Sequence, residues 1–120
     1  MADPVVITYT PGIVHLTRIV QGDTLMFSCF LAYEDDEPYD LDGYAARMQI
    51  RRADNSLLHT LSLGDGLEID ANRLGVTVSA AITAIMGENN DYFFDIQLEK
   101  DGVIRTIVSG SLDVIRQLTI

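Results

Sequence analysis

The chain has 120 residues, a hydrophobic fraction of 48% and a formal net charge of −10. This length predicts one domain, 1–120, whose core is large enough to fold without a metal ion or a disulfide. The excess of negative charge argues against nucleic acid and against an anionic membrane as partners, because both attract clustered positive charge. The sequence has no apolar run of about 18 residues, so it predicts no membrane-spanning helix.

Short runs with a period of two, interrupted by Gly, Asp and Asn, dominate the sequence and predict β-strands. In the first half of the chain these runs cover residues 5–9, 13–20, 25–33, 46–51 and 57–63. The acidic segment 34–38 ends in Pro38. It predicts a solvated loop, because proline cannot donate a hydrogen bond inside a sheet.

The second half of the chain continues the alternation and predicts four more strands. They begin near residues 67 and 74 and cover 91–100 and 103–116. The segment 79–86 is the only helical candidate, with Ser79 as its N-cap. In the last run, Ile104 is predicted to share a face with Val108, and Gly110 indicates a bulge or a bend.

Together these elements predict an all-β fold, an antiparallel β-sandwich of immunoglobulin-like character with one short helix. Residues 1–12 are predicted as an N-terminal arm or edge strand, and residues 117–120 as a C-terminal tail. A small closed barrel is the alternative architecture. The chain has no Trp and a single cysteine, Cys29. It therefore lacks the Trp and the Cys pair that mark antibody-type domains.

The sequence predicts no metal site. Residues 40–43, with the sequence DLDG, superficially resemble a calcium loop. In that alignment Pro38 and Gln49 occupy positions where an EF-hand loop requires carboxylates. His15 and His59 lie on predicted strands with no second histidine at ligand spacing, and we interpret them as exposed or hydrogen-bonded strand residues.

The sequence also predicts no catalytic residue and no cofactor, and hence a protein that is not an enzyme. Cys29 lies among apolar residues with no cation nearby in sequence, which predicts a buried and inert thiol. Some tyrosines beside predicted turns are candidates for a carbohydrate platform, although packing and hydrogen bonding are the commoner roles of such residues. They are Tyr9, Tyr33, Tyr39 and Tyr44.

Several apolar residues exceed what the predicted core needs. One lies on the polar face of the strand over 91–100, others form the run 5–9, and the last two lie within 118–120. Surplus apolar surface is typical of a protein that binds a partner, and the first run is long enough to pair with a neighbour's edge strand. The predicted partner-binding residues are Val5, Ile7, Tyr9, Phe93, Leu118 and Ile120.

Five short motifs follow one another along the chain. They are GDT at 22–24, DLDG at 40–43, DNSLL at 54–58, YFFDIQLEKDGV at 92–103 and GSLDV at 110–114. In this order they resemble the pattern of small β-sandwich proteins of tailed-bacteriophage virions, a group that includes the N-terminal domain of baseplate upper proteins. The resemblance covers about residues 16–114, and Asp42 departs from it, since the family often has Thr there.

The resemblance implies a non-enzymatic structural protein of a tailed-phage virion, made in the cytoplasm of the bacterial host. The implied partners are other virion proteins, in the tail, neck or baseplate or as capsid decoration, and a homo-oligomer or a symmetric assembly is expected. A carbohydrate- or receptor-binding β-sandwich module is the alternative function.

Overall fold

The computed structural model describes residues 4–6, 12–32, 38, 40–87 and 91–116. Within this part of the chain there are nine β-strands and one short helix, α1. The all-β prediction is therefore confirmed. In chain order the elements are β1 (Pro4–Val6), β2 (Gly12–Val20), β3 (Leu25–Ala32), β4 (Ala45–Arg52), β5 (Leu57–Leu63), β6 (Gly66–Asp70), β7 (Arg73–Val78), α1 (Ala80–Ala84), β8 (Asp91–Lys100) and β9 (Val103–Ile115).

The nine strands belong to one sheet in the order β1-β3-β7-β6-β5-β4-β8-β9-β2. Most neighbours pair antiparallel, but β1–β3, β2–β9 and β5–β6 are parallel. The sheet is thus mixed, whereas the sequence predicts antiparallel pairing throughout. Antiparallel pairing is expected where consecutive strands are joined by a short hairpin. The first two strands instead add to opposite edges of the sheet, beside strands that are distant in sequence.

The sheet curls so that its two ends approach each other. Val6 at one edge and Gly12 at the other are six residues apart in the chain, a separation that spans at most about 22 Å. A flat sheet of nine strands would place its edges about 38 Å apart. The ring centroids of Phe27 on β3 and Phe94 on β8 are 6.0 Å apart, although four strands separate β3 from β8 in the sheet.

The side chains inside the curl form one apolar cluster. Removing this surface from water is the main favourable contribution to folding. The largest fully buried members come from five strands, from the connection before β4 and from the turn after α1. They are Leu31, Leu41, Met48, Ile50, Leu74, Met86, Ile96 and Leu112.

An irregularity in β9 changes which face its first residues occupy. Ile96 of β8 pairs with Val108, but the next residue of β8 pairs with Thr106, so Ile107 is an extra residue in β9. One extra residue moves the preceding side chains to the opposite face. Ile104 is accordingly 55% exposed, and the prediction that it shares a face with Val108 is wrong.

Gly110 marks a close approach of neighbouring strands rather than a bulge. It pairs directly with Phe94 of β8 in a regular part of the ladder. A Cβ atom at this position would overlap the carbonyl oxygen of Val14 on β2 and lie 2.8 Å from Cε1 of Phe94. Only glycine leaves room for both neighbours.

The helix α1 confirms the sequence prediction and packs on the turn between β2 and β3. Ser79 caps it, with its Oγ accepting a hydrogen bond from the backbone N–H of Ile82 at 3.4 Å. Thr83 is buried, and its hydroxyl lies 2.6 Å from the carbonyl of Asp23 and accepts from the N–H of Gly22 at 3.1 Å. These bonds join the helix to a turn about 60 residues earlier in the chain.

The start of β8 is anchored by a tyrosine. Tyr92 is buried, and its hydroxyl accepts a hydrogen bond of 2.6 Å from the backbone N–H of Gly87. Two residues later Phe94 enters the core and meets Phe27. The bond thereby ties Gly87, three residues after α1, to the start of β8.

Candidate interaction surface

The register of β4, β8, β9 and β2 brings two rows of side chains together on the outer face of the sheet. The first row consists of Arg51, Phe93, Ser111 and His15. The second row consists of Gln49, Asp95, Ser109 and Ile13. These eight residues are called the Phe93 face below. Successive side chains of a strand alternate between faces, so the residues between them point to the core.

Two members of the Phe93 face expose apolar surface. Phe93 is 48% exposed and Ile13 is 71% exposed. Scattered apolar residues are ordinary on protein surfaces, but an aromatic ring on an otherwise polar sheet face is a candidate contact point. The exposure predicted for Phe93 is confirmed.

Arg51 is held in a fixed position beside Phe93. Its Nη1 donates to the carbonyl of Asn55 at 2.9 Å, and its Nη2 donates to Oε1 of Gln49 at 3.0 Å. Both acceptors are neutral, so these bonds orient the guanidinium without compensating its charge. Asp95 supplies the one carboxylate of the Phe93 face, and Asp91 continues the same side of β8. The surface therefore combines an aromatic ring, an oriented cation and nearby carboxylates.

The other end of the first row contains a serine–histidine contact. Nδ1 of His15 and Oγ of Ser111 share a hydrogen bond of 2.7 Å on the exposed side of the sheet. Hydrolytic sites add an acid that orients the histidine and donors that stabilise an oxyanion. Among the described residues no carboxylate forms a hydrogen bond with His15. The contact is best explained as a link between β2 and β9.

The turn between β4 and β5 borders the Phe93 face. Asn55 adopts a positive φ of 71° in this turn, a conformation that asparagine tolerates. The hydroxyl and the N–H of Ser56 both donate to Oδ1 of Asp54, at 2.6 and 2.9 Å. The hydroxyl bond is the main reason that the pKa of Asp54 is lowered, and the bonds give the turn a defined shape.

An open depression of about 290 Å³ lies on the β4 and β8 side of this surface. Phe93, Arg51, Gln49, Asp95 and Asn55 contribute to its walls. Its mixture of one aromatic ring with polar groups suits a protein side chain or a small polar ligand.

The predicted partner-binding residues do not meet in one place within the described structure. Val5 lies in β1, where it pairs with Leu31 of β3, so β1 adds to an edge of its own sheet. Phe93 lies on β8, which is close to the opposite end of the sheet from β1 in the strand order. The remaining four candidates lie outside the described residues. They are Ile7, Tyr9, Leu118 and Ile120.

Sequence reasoning missed most of the Phe93 face. The alternation in β4 predicts that Arg51 and Gln49 point outward, but it does not place them beside Phe93. His15 and Ser111 are 96 residues apart in the chain, and only the parallel pairing of β2 with β9 brings them together. No local signal in a sequence reports such a pairing.

A second depression, of about 410 Å³, lies at the corner between β5 and β6 and includes His59, Asp65 and Glu68. In the part of the chain that the structure describes, no three His, Cys, Asp or Glu residues are placed to hold a metal ion. No helix among the same residues is long and apolar enough to cross a membrane.

Cys29 is buried in β3, and burial raises the pKa of its thiol from 9.0 to about 11. We expect no reaction with a thiol reagent in the native protein near pH 8 and full reaction in denaturant, because the thiolate is the reactive species. The unfolded chain ionises first, so the stability linked to this thiol is present below pH 9 and is lost as the pH rises towards 11. A timed thiol assay with and without urea measures the first effect, and rapid native labelling would contradict it.

No protein-family model and no curated protein sequence matches the chain.

Proposed function

We propose that the chain is an immunoglobulin-like β-sandwich that serves as a non-enzymatic structural component of a tailed-phage virion, where it attaches to other virion proteins. The observation that carries the proposal is the Phe93 face, an aromatic and charged contact surface on a scaffold of paired strands. The motif order between residues 16 and 114 supports the phage assignment. Function resides in a site and not in a fold, so the fold supplies only the scaffold.

The strand order supports the sandwich part of the proposal. Immunoglobulin-type sandwiches place strands A, B, E and D in one layer and G, F and C, with C′ in some, in the other. The order β1-β3-β7-β6 corresponds to the first layer, and β5-β4-β8-β9 corresponds to the second. In this assignment the parallel contact between β5 and β6 is the corner at which the chain passes from one layer to the other.

Two side-chain contacts support the same assignment. In immunoglobulin-type sandwiches a tyrosine near the start of strand F bonds to backbone upstream, two residues before a cysteine that is bridged to strand B. Tyr92 makes such a bond to Gly87. Phe94 follows two residues later and packs on Phe27. An aromatic pair thus occupies the place of the disulfide, which is consistent with folding in a reducing compartment.

The proposal is tested by the composition of purified particles. Particles made from the genome that encodes the chain are purified through a density gradient and analysed by quantitative mass spectrometry. We expect the chain in a fixed ratio to the major structural proteins. Particles assembled with Phe93→Asp should lose it several-fold, because a carboxylate beside Asp95 disrupts an apolar contact.

Met26→Asp is the matched control for Phe93→Asp. Met26 is 70% exposed on β3, so its replacement adds the same charge away from the Phe93 face and should leave incorporation unchanged. Thermal unfolding of both variants verifies that they fold. A wild-type chain that stays in the soluble fraction and is absent from washed particles would show the proposed function to be wrong.

The depression beside Phe93 favours a second function, a carbohydrate- or receptor-binding module. Sugars stack on aromatic rings and bond to charged and amide groups, and Phe93, Arg51, Gln49 and Asp95 supply both kinds of group around 290 Å³. A glycan array separates this function from the first. Binding that Phe93→Ala abolishes would favour the module, and the same particles would then be expected to bind glycans through this chain.

A further inference from the structure

The Phe93 face carries a cation and a carboxylate that do not neutralise each other. The guanidinium of Arg51 is oriented by the neutral oxygens of Asn55 and Gln49. Asp95 is half-buried on β8, opposite Gln49. Among the described residues Asp95 forms no ion pair and no hydrogen bond. Each of the two charged groups can therefore still bind a partner of opposite charge.

The two charged groups occupy related positions around Phe93. Arg51 is directly beside Phe93 on the neighbouring strand β4, and Asp95 follows Phe93 by two residues on β8 itself. Neighbouring strands are about 4.8 Å apart, and alternate residues of one strand are about 6.8 Å apart. Arg51 and Asp95 thus lie at similar distances from Phe93, in directions that are roughly perpendicular.

This arrangement makes the Phe93 face complementary to a copy of itself. Consider a two-fold axis that lies in the plane of the contact, passes over Phe93 and bisects the directions to Arg51 and Asp95. Such an axis places Arg51 of each copy over Asp95 of the other, and the two Phe93 rings meet on the axis. The two distances from Phe93 differ by about 2 Å, which the long arginine side chain can span.

A partner with charges of one sign fits the Phe93 face less well. A basic partner would meet the cation of Arg51, and an acidic partner would meet Asp95 and also Asp91 on the same side of β8. An apolar partner would take both kinds of charge out of water without a compensating bond. A second copy carries both charges at the matching positions, and all of these residues belong to the described part of the chain.

We infer that a second copy of this chain binds the Phe93 face and forms a two-fold symmetric dimer in which the two sheets pack face to face. Two ion pairs between Arg51 and Asp95, one on each side of the axis, flank the contact between the Phe93 rings. This inference rests on the proposed function, because it names the partner that the Phe93 face binds. The strands of the two copies cross at close to a right angle, which is one of the two usual packings of sheets.

Contact area and net charge indicate a weak dimer. The four strands of the face span about 19 Å, so two such faces that cross at a right angle overlap over about 360 Å². This overlap is well below the roughly 800 Å² per partner of a standard interface. Each copy also carries a formal charge of −10, and salt reduces the resulting repulsion. We therefore expect a dimer that forms at high protein concentration, or where an assembly holds the copies close together.

Sedimentation velocity over a concentration series, at about 0.15 M salt, tests the inference. The wild type should form a dimer that does not grow further, because a two-fold contact uses the face of both copies. Arg51→Glu and Asp95→Arg should each weaken the dimer about ten-fold or more, because each variant places two like-charge pairs across the axis. A wild type that stays monomeric up to about 1 mM would overturn the inference.

An equimolar mixture of Arg51→Glu and Asp95→Arg provides the sharpest measurement. The glutamate that replaces Arg51 in one chain faces the arginine that replaces Asp95 in the other, and the unchanged Asp95 and Arg51 form the second pair. The mixture should therefore form a heterodimer with an affinity close to that of the wild-type dimer, and native mass spectrometry should show one copy of each variant. A mixture that stays monomeric while the wild type dimerises would show that Arg51 and Asp95 do not face each other, and the inference would be wrong.

Arg105→Glu and Asp70→Arg are the matched controls, since they make the same changes of charge away from the Phe93 face. Arg105 is exposed and pairs with the buried Leu98, on the opposite side of the sheet from Phe93. Asp70 is exposed at the end of β6. Both controls should dimerise like the wild type, and thermal unfolding verifies that all four variants fold. Equal weakening in the controls would attribute the effect to net charge and would contradict the proposed contact.

The particle assay separates this inference from the proposed function. If particles contain the chain in a fixed ratio but neither the wild type nor the mixture dimerises, the proposed function stands and the dimer is wrong. If the mixture forms the heterodimer but the chain is absent from washed particles, the dimer is confirmed and the proposed function is wrong.

Discussion

Phe94→Ala is expected to lower the free energy of unfolding by about 3–5 kcal/mol, the range for truncating a large buried aromatic side chain. Phe94 is 4% exposed and its ring packs on Phe27 across the curl. Truncation therefore leaves a cavity and also removes the aromatic contact between distant strands. Urea denaturation monitored by circular dichroism measures the change, with an unchanged m-value showing that unfolding remains two-state.

The adjacent residue is the control for this prediction. Phe93→Ala removes the same atoms from the outer face, where the ring is 48% exposed, and should cost less than about 1 kcal/mol. The two substitutions together test the assignment of faces in β8. Equal losses at the two positions, or a loss under about 1 kcal/mol for Phe94→Ala, would contradict the core described above.

Gly110→Ala is expected to destabilise the protein by about 1–3 kcal/mol or more, although it adds a single methyl group. The added carbon has no room, because it meets the carbonyl oxygen of Val14 and the ring of Phe94. Relief requires β2 to move away from β9 or Phe94 to leave its position. Chemical denaturation measures the loss, and hydrogen exchange should show weaker protection in β2 than in β4.

Ser109→Ala is the matched control on the same strand. Ser109 is half-buried on the outer face beside Asp95, so this substitution should change the free energy of unfolding by at most about 0.5 kcal/mol. If Gly110→Ala is as stable as the wild type, β2 does not lie against β9 as described.

Local patterns along the chain predict which segments form strands and where those strands end. Leu57–Leu63 and Asp91–Lys100 begin and end at the predicted residues, because alternating apolar residues bounded by turn formers act locally. The capped helix before β8 is equally local, since Ser79 bonds within its own first turn. Part of the candidate site was predicted for the same reason, because the alternation in β8 places Phe93 on the outer face.

The arrangement of the strands, in contrast, depends on contacts between distant parts of the chain. One extra residue in β9 puts Ile104 on the outer face. The extra residue is itself apolar, so the apolar pattern of the sequence does not reveal it. The mixed sheet and the row from Arg51 to His15 depend on pairings between residues far apart in the chain. Such pairings are selected by burial of the whole core and by the path of the chain between sheet edges. Neither is a property of any short segment.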